Sequence, residues 1–204
     1  RMLLKNIYVV IFAIITLLAS VTLLFTTLIF RRKIPDKLVS AFINLGLFIL
    51  AAGVWIVVDS RLLQFFTGHA PVIALVSYLA MYLMPVFCLM FIKEMLSRHY
   101  RVLGYLAYGF EGLLILSIFT YKITSIPMYR LVYIEHVLIL VSMLFAIKYL
   151  IQELQLYQKA LMRMLTKGIG ILFVFAFIAI VEFHIDHDSS YAVLFSLGML
   201  VFIA

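Results

Sequence analysis

The sequence predicts an all-α polytopic membrane protein, a seven-transmembrane helix bundle with its N-terminus outside and its C-terminus inside. Three observations lead there. Charged residues make up 12% of the 204 and hydrophobic ones 67%, at a mean hydropathy of +1.21, whereas soluble domains carry roughly 25% charged and 45–50% apolar residues. Six apolar stretches are long enough to cross a bilayer and a shorter seventh follows. The loops between them alternate between rich and poor in Lys and Arg, the asymmetry that sets orientation in a membrane.

A crossing takes about 20 mostly apolar residues at 1.5 Å of rise each. The spans predicted are 7–30, 38–60, 71–96, 103–124, 131–154, 169–186 and 191–204. They leave no length for a soluble domain, so residues 1–204 read as a single transmembrane domain. The first span is too long for a cleaved signal-peptide core and has no small-residue cleavage pattern. The last, at about 14 residues, supplies roughly 21 Å of helix against a core of ~30 Å. With the opening Arg1-Met2, it predicts an excised membrane region whose natural chain continues past Ala204.

The loops after spans one, three and five hold Arg31, Arg32, Lys33, Lys37, Lys93, Arg98, Arg101, Lys148, Lys159, Arg163 and Lys167. The opposite side holds Arg1, Lys5, Arg61, Lys122 and Arg130, together with Asp59, Asp186 and Asp188. The net charge of +7 therefore reads as a topology signal and an attraction to anionic inner-leaflet lipid, not a nucleic-acid surface. Tyrosines fall at both span ends, Tyr8, Tyr121, Tyr129 and Tyr191 on one side and Tyr100, Tyr105, Tyr149 and Tyr157 on the other, as an interfacial belt requires. Pro71 suits a first helical turn; Pro85, in the middle of span three, frees a carbonyl and predicts a kink. Such a kink is either a moving part or a static bend that neighbouring helices relieve. Small residues at Ala51-Ala52-Gly53, Gly104, Gly109, Gly112, Gly168 and Gly170 predict close helix contacts. Gln152 to Gly168 reads as a helix extension along or beneath the inner surface. The lone Cys88 excludes a disulfide within the chain and reads as a packing residue.

Ionisable side chains inside a span are costly and ask for a reason. Asp59, Glu135, His136, Glu182 and His184 all fall in the outer third, where an inward-facing cavity would gather them. Glu111 lies nearer mid-span, and its bland reading is a carboxyl protonated or bonded to a neighbouring helix. If the helix persists, His184, His187 and Asp188 share a face at i, i+3 and i+4, with His69 on a nearby loop as a fourth metal ligand. A polar outer loop collects such residues without a metal, so no metal is favoured and no cofactor is expected. Imidazoles in that cluster equally permit a pH response. No nucleophile elbow, His-Glu-x-x-His, phosphate-binding Gly loop or paired-Cys motif is present, and this segment reads as no enzyme.

The second span and its exit, Leu45 to Gln64, carry Trp55-x-x-x-Asp59-Ser60-x-x-Leu63-Gln64. Tyr78 to Pro85, Phe91-Ile92-Lys93-Glu94, Glu135 to Ile139, the Gly-Ile pairs opening span six and Phe195 to Phe202 follow in order. Together they resemble the membrane region that precedes GGDEF diguanylate cyclase domains in many Firmicutes, within the bacterial seven-transmembrane receptors with diverse intracellular signalling modules. The resemblance implies a sensor in the bacterial cytoplasmic membrane, working as a homodimer. It further implies an extracellular ligand or N-terminal sensing domain, and a C-terminal cytoplasmic output domain, GGDEF or else histidine kinase. Trp55, Asp59, Arg61 and His136 match the class's polar marks. Two other readings stand beside it: a small transporter, or a zinc-dependent membrane hydrolase built on His184, His187, Asp188 and His69.

Overall fold

The computed structural model describes residues 2–59, 70–98, 100–124, 129–157, 160–185, 194, 195, 197–199 and 202. Six helices follow one another: α1 (Met2–Phe30), α2 (Asp36–Asp59), α3 (Ala70–Met95), α4 (Arg101–Thr124), α5 (Tyr129–Tyr157) and α6 (Ala160–Ile185). Each is long and apolar enough to cross a membrane, and no strand occurs among the described residues. The chain is an all-α, multi-pass membrane protein. Residues 194, 195, 197–199 and 202 are helical as well.

The boundaries follow local chemistry. Arg31–Lys33 form one 3-10 turn after α1, and Ile34 is extended (φ −116°, ψ 140°), as a residue before proline must be. The Pro35 carbonyl then accepts from the amides of Leu38 and Val39 at 2.9 and 3.0 Å, which starts α2, with Asp36 favourably placed against the helix dipole. α3 runs unbroken through Pro85, although the proline has no N–H to offer the Met81 carbonyl one turn back. The sixth helix starts earlier than hydropathy predicts. Residues 152–157 complete α5 and 160–168 open α6, so Gln152 to Gly168 is shared between two spanning helices instead of forming a separate surface extension. Arg163 and Lys167 hid that start from the hydropathy reading, yet both are good helix formers.

Helix α2 is the centre of the bundle: 56% of its apolar window is buried against 22% for α1. It receives α1 through two glycines. A Cβ on Gly46 would lie 2.6 Å from Leu24, and one on Gly53 2.9 Å from Leu17; Ser20 Oγ donates to the Gly46 carbonyl at 2.7 Å. On its other side, Phe48 meets Phe202 at 6.2 Å and Trp55 meets Phe195 at 5.5 Å, both edge-on. That order makes the last described residues antiparallel to α2. They also press on α6, where a Cβ on Gly198 would fall 2.6 Å from Phe175. The predicted close contacts therefore hold at Gly53, while Gly112 and Gly170 face open space. Gly46 and Gly198, not singled out in the sequence, are the tightest approaches.

One end of the bundle carries Arg31, Arg32, Lys33, Lys37, Lys93, Arg98, Arg101, Lys148, Arg163 and Lys167. There Lys37 Nζ donates to the Leu96 carbonyl at 2.6 Å and the Ser97 amide donates to Glu153 Oε1 at 2.7 Å, tying α2, α3 and α5. Tyr100 and Tyr149 stack at 4.2 Å, so Tyr149 is buried, whereas Tyr105 projects outward as a belt residue does. Glu111 lies exposed on the outer face of α4. It is off the buried stripe of Leu103, Ala107, Phe110 and Ser117, and the bond to a neighbouring helix, one of the two forms of its bland reading, is not found among the described residues.

Candidate functional site

A cavity of about 130 Å³ opens among α2, α3, α5, α6 and the segment after α6. Helical spacing builds its walls. Met81, Met84, Pro85 and Cys88 come from one face of α3; His136, Ile139, Ser142 and Met143 come from one face of α5. Trp55 of α2 and Phe195 meet edge-on and close one side. Phe173, Ala176 and Phe183 of α6 complete the enclosure. Among the described residues no Asp, Glu, Lys or Arg lines it, and the lining is apolar apart from His136, Ser142, the indole of Trp55 and the thiol of Cys88.

His136 is held from α6. Its Nδ1 lies 3.3 Å from His184 Nε2, a distance that joins one N–H to one lone pair, so the two rings adopt complementary tautomers. Phe183 stands edge-on to His136 at 4.8 Å, and Tyr133 lies 5.2 Å from the His184 ring. This aromatic group joins α5 to α6 at the end away from the basic residues. Ser142 behaves unlike the other buried hydroxyls. Thr16, Thr27 and Ser117 donate to the carbonyl four residues back at 2.7–2.9 Å, and Ser20 donates to Gly46; Ser142 Oγ is buried with no hydrogen-bond partner among the described residues.

Glu135 precedes His136 and, 100° around the helix, serves a different seam. Its side chain is fully buried and neither carboxyl oxygen has a hydrogen-bond partner among the described residues. It lies within electrostatic reach of Tyr82 on α3. The Tyr82 hydroxyl and Ser117 Oγ are 3.1 Å apart. Ser117 commits its single proton to the Leu113 carbonyl at 2.7 Å, so Tyr82 is the donor between the two hydroxyls.

Of the residues singled out in the sequence, Trp55, Pro85 and His136 meet on the cavity wall. His184 reaches the cavity only through His136 and is itself exposed. Glu182 is half-buried with Oε2 unpartnered among the described residues, and neither it nor Glu135 lines the cavity. Asp59 ends α2, with its side chain outside the described residues, as are Arg61, His69, His187 and Asp188. The metal reading therefore lies almost wholly outside them, and no group of three ligating side chains occurs among those described. The residues that sequence reasoning missed are Ser142, the methionines of α3 and Phe195. Spacing alone makes each an ordinary core position. Comparison with protein-family models, with curated proteins and with solved structures finds no match to this chain.

Proposed function

We propose that this chain is the membrane sensory region of a bacterial signalling protein, in which occupancy of the cavity shifts the packing of α3 and of the helix that follows α6. One observation carries the reading: the same cavity is walled by the Met81–Pro85 turn of α3, which lacks a backbone hydrogen bond, and by Phe195. A guest there touches a loosened turn and the last helix together. Two arrangements with different contacts to the guest are what a relay needs.

We read the last described residues as part of a seventh crossing, because their register against α2 and α6 carries the chain back toward the basic end. The basic end is then cytoplasmic, the N-terminus outside and the C-terminus inside. The resemblance described above supports the remainder. It points to a homodimer in the bacterial cytoplasmic membrane, an extracellular stimulus and a cytoplasmic output domain, GGDEF or else histidine kinase, with no catalysis in this segment.

The test uses the whole natural chain in cells. Its coding sequence beyond Ala204 is read, and cyclic di-GMP or phosphotransfer is measured for the native protein and for Ala179→Trp, which fills the cavity. An output domain and a changed signal are expected. A chain without one that moves solute across proteoliposomes overturns the reading in favour of the transporter.

A further inference from the structure

We infer that α4 is the surface through which two copies of this chain associate, closed by a hydrogen-bonded pair of Glu111 carboxyls at the middle of the bilayer. The inference rests on the sensory reading for the homodimer and adds the surface that forms it. Depth comes first. The spanning part of α4, Arg101–Ile123, has 23 residues, and Glu111 is the eleventh of them, roughly 15 Å of helix rise from one end and 18 Å from the other. Among the described spans it is the one Asp, Glu, Lys, Arg or His within a turn of a midpoint. Its side chain is too short to snorkel to either headgroup layer. Position on the helix comes second. Glu111 is exposed at a depth where the surroundings are lipid tails, whereas ionisable groups inside spans face a bundle interior or pair with one another.

The face around it suits a second helix. Tyr108, Glu111, Gly112 and Ile115 recur at i, i+3, i+4 and i+7 and so share one side of α4, where all four are exposed. The stripe of Leu103, Ala107, Phe110 and Ser117 turns away from them into the bundle. A Cβ on Gly112 would meet nothing within 4 Å, which leaves room for a neighbouring backbone to come close, as small residues permit in membranes. Symmetry names the occupant. Every copy inserts in the same orientation, so the two-fold axis of a dimer lies along the membrane normal and sets each residue at the depth of its own counterpart. Glu111 therefore meets Glu111. A carboxyl carrying its proton is both donor and acceptor, so two of them satisfy each other. A different membrane protein needs a polar group of its own at this depth, whereas a second copy brings one by symmetry.

The whole chain, labelled at its N-terminus with donor or acceptor dye, is reconstituted in liposomes, and energy transfer is followed as added lipid dilutes the protein. The native chain is expected to associate, and Glu111→Leu to do so about tenfold more weakly, the worth of one interhelical hydrogen bond. Glu111→Gln, whose amide also donates and accepts, is expected within about threefold of native. Gly112→Leu is expected to weaken association by crowding the approach. Both positions are exposed in a single copy, so these variants are expected to fold. In a Cys88→Ala background, Ile115→Cys is expected to give a cross-linked dimer with a membrane-permeant oxidant. Val21→Cys, exposed at the middle of α1, is expected to stay uncrosslinked. A native chain that remains monomeric, association unchanged in Glu111→Leu, or Val21→Cys cross-linking as fast as Ile115→Cys overturns the inference. The two proposals fail separately. A dimer that forms without Glu111 refutes this surface and keeps the sensory reading; a Glu111-dependent dimer whose natural chain carries no output domain does the reverse.

Discussion

Glu135 shows how a single side chain can work against the fold that holds it. A fully buried carboxyl with neither oxygen bonded among the described residues forfeits hydration without compensation, a loss of about 1–3 kcal/mol even for a neutral group. Glu135→Met keeps the volume and removes the polar atoms, so it should raise stability in detergent by about 1–2 kcal/mol. Chemical or thermal unfolding of the purified protein measures it, and a fall instead would reveal a bonded partner. The glycines give a matched contrast. Gly46→Ala drives a methyl into Leu24, and Gly198→Ala drives one into Phe175; each should destabilise by about 1–3 kcal/mol. Gly170→Ala and Gly112→Ala meet nothing, and should be neutral or stabilising by up to ~1 kcal/mol through the usual helix preference for alanine.

At the level of elements, α3 is the helix whose integrity is in question. Pro85 leaves the Met81 carbonyl without its amide, and both residues face the cavity. Pro85→Ala restores that bond, which should stabilise α3 by about 1 kcal/mol and shrink the cellular response to the stimulus. Greater stability with an undiminished response would mean a static bend. The other end of α3 is tied down by Lys37 and Glu153. Removing the carboxylate in Glu153→Ala takes the acceptor from the Ser97 amide, and should cost about 1–3 kcal/mol. Faster amide exchange at residues 96–98 reads it directly.

For the whole molecule, orientation is the property on which a relay depends. Cysteines introduced as Arg32→Cys, Arg98→Cys and Arg163→Cys, in a Cys88→Ala background, should all be labelled from the cytoplasmic side of inverted vesicles and protected in intact cells. Labelling of Arg32→Cys from outside would reverse the bundle. Cys88 is buried on the cavity wall, so its replacement by alanine removes a competing thiol at little structural cost.

Composition, span length and loop charge by themselves determined that this chain is helical and built for a bilayer, because hydrocarbon holds no water to satisfy backbone groups and apolar runs of about 20 residues fit a spanning helix, not a strand of about 10. Span edges were legible to a few residues, except where Arg163 and Lys167 masked two turns of α6. Trp55, Pro85 and His136 were each singled out in the sequence, Trp55 through the resemblance, Pro85 as a kink and His136 as an ionisable group in a span, but that the three wall one cavity was not legible there. Ser142, Phe195 and Gly46 were not singled out individually. Their roles lie in which helix faces them across the bundle, and in a chain that is apolar all round, helix rotation leaves no periodic mark on the sequence. Only the packed tertiary structure decided that Ser142 is left without a partner among the described residues while Thr16, Thr27 and Ser117 bond to their own helices and Ser20 reaches Gly46 of α2, and that Glu135 and His136, neighbours in sequence, look into different seams.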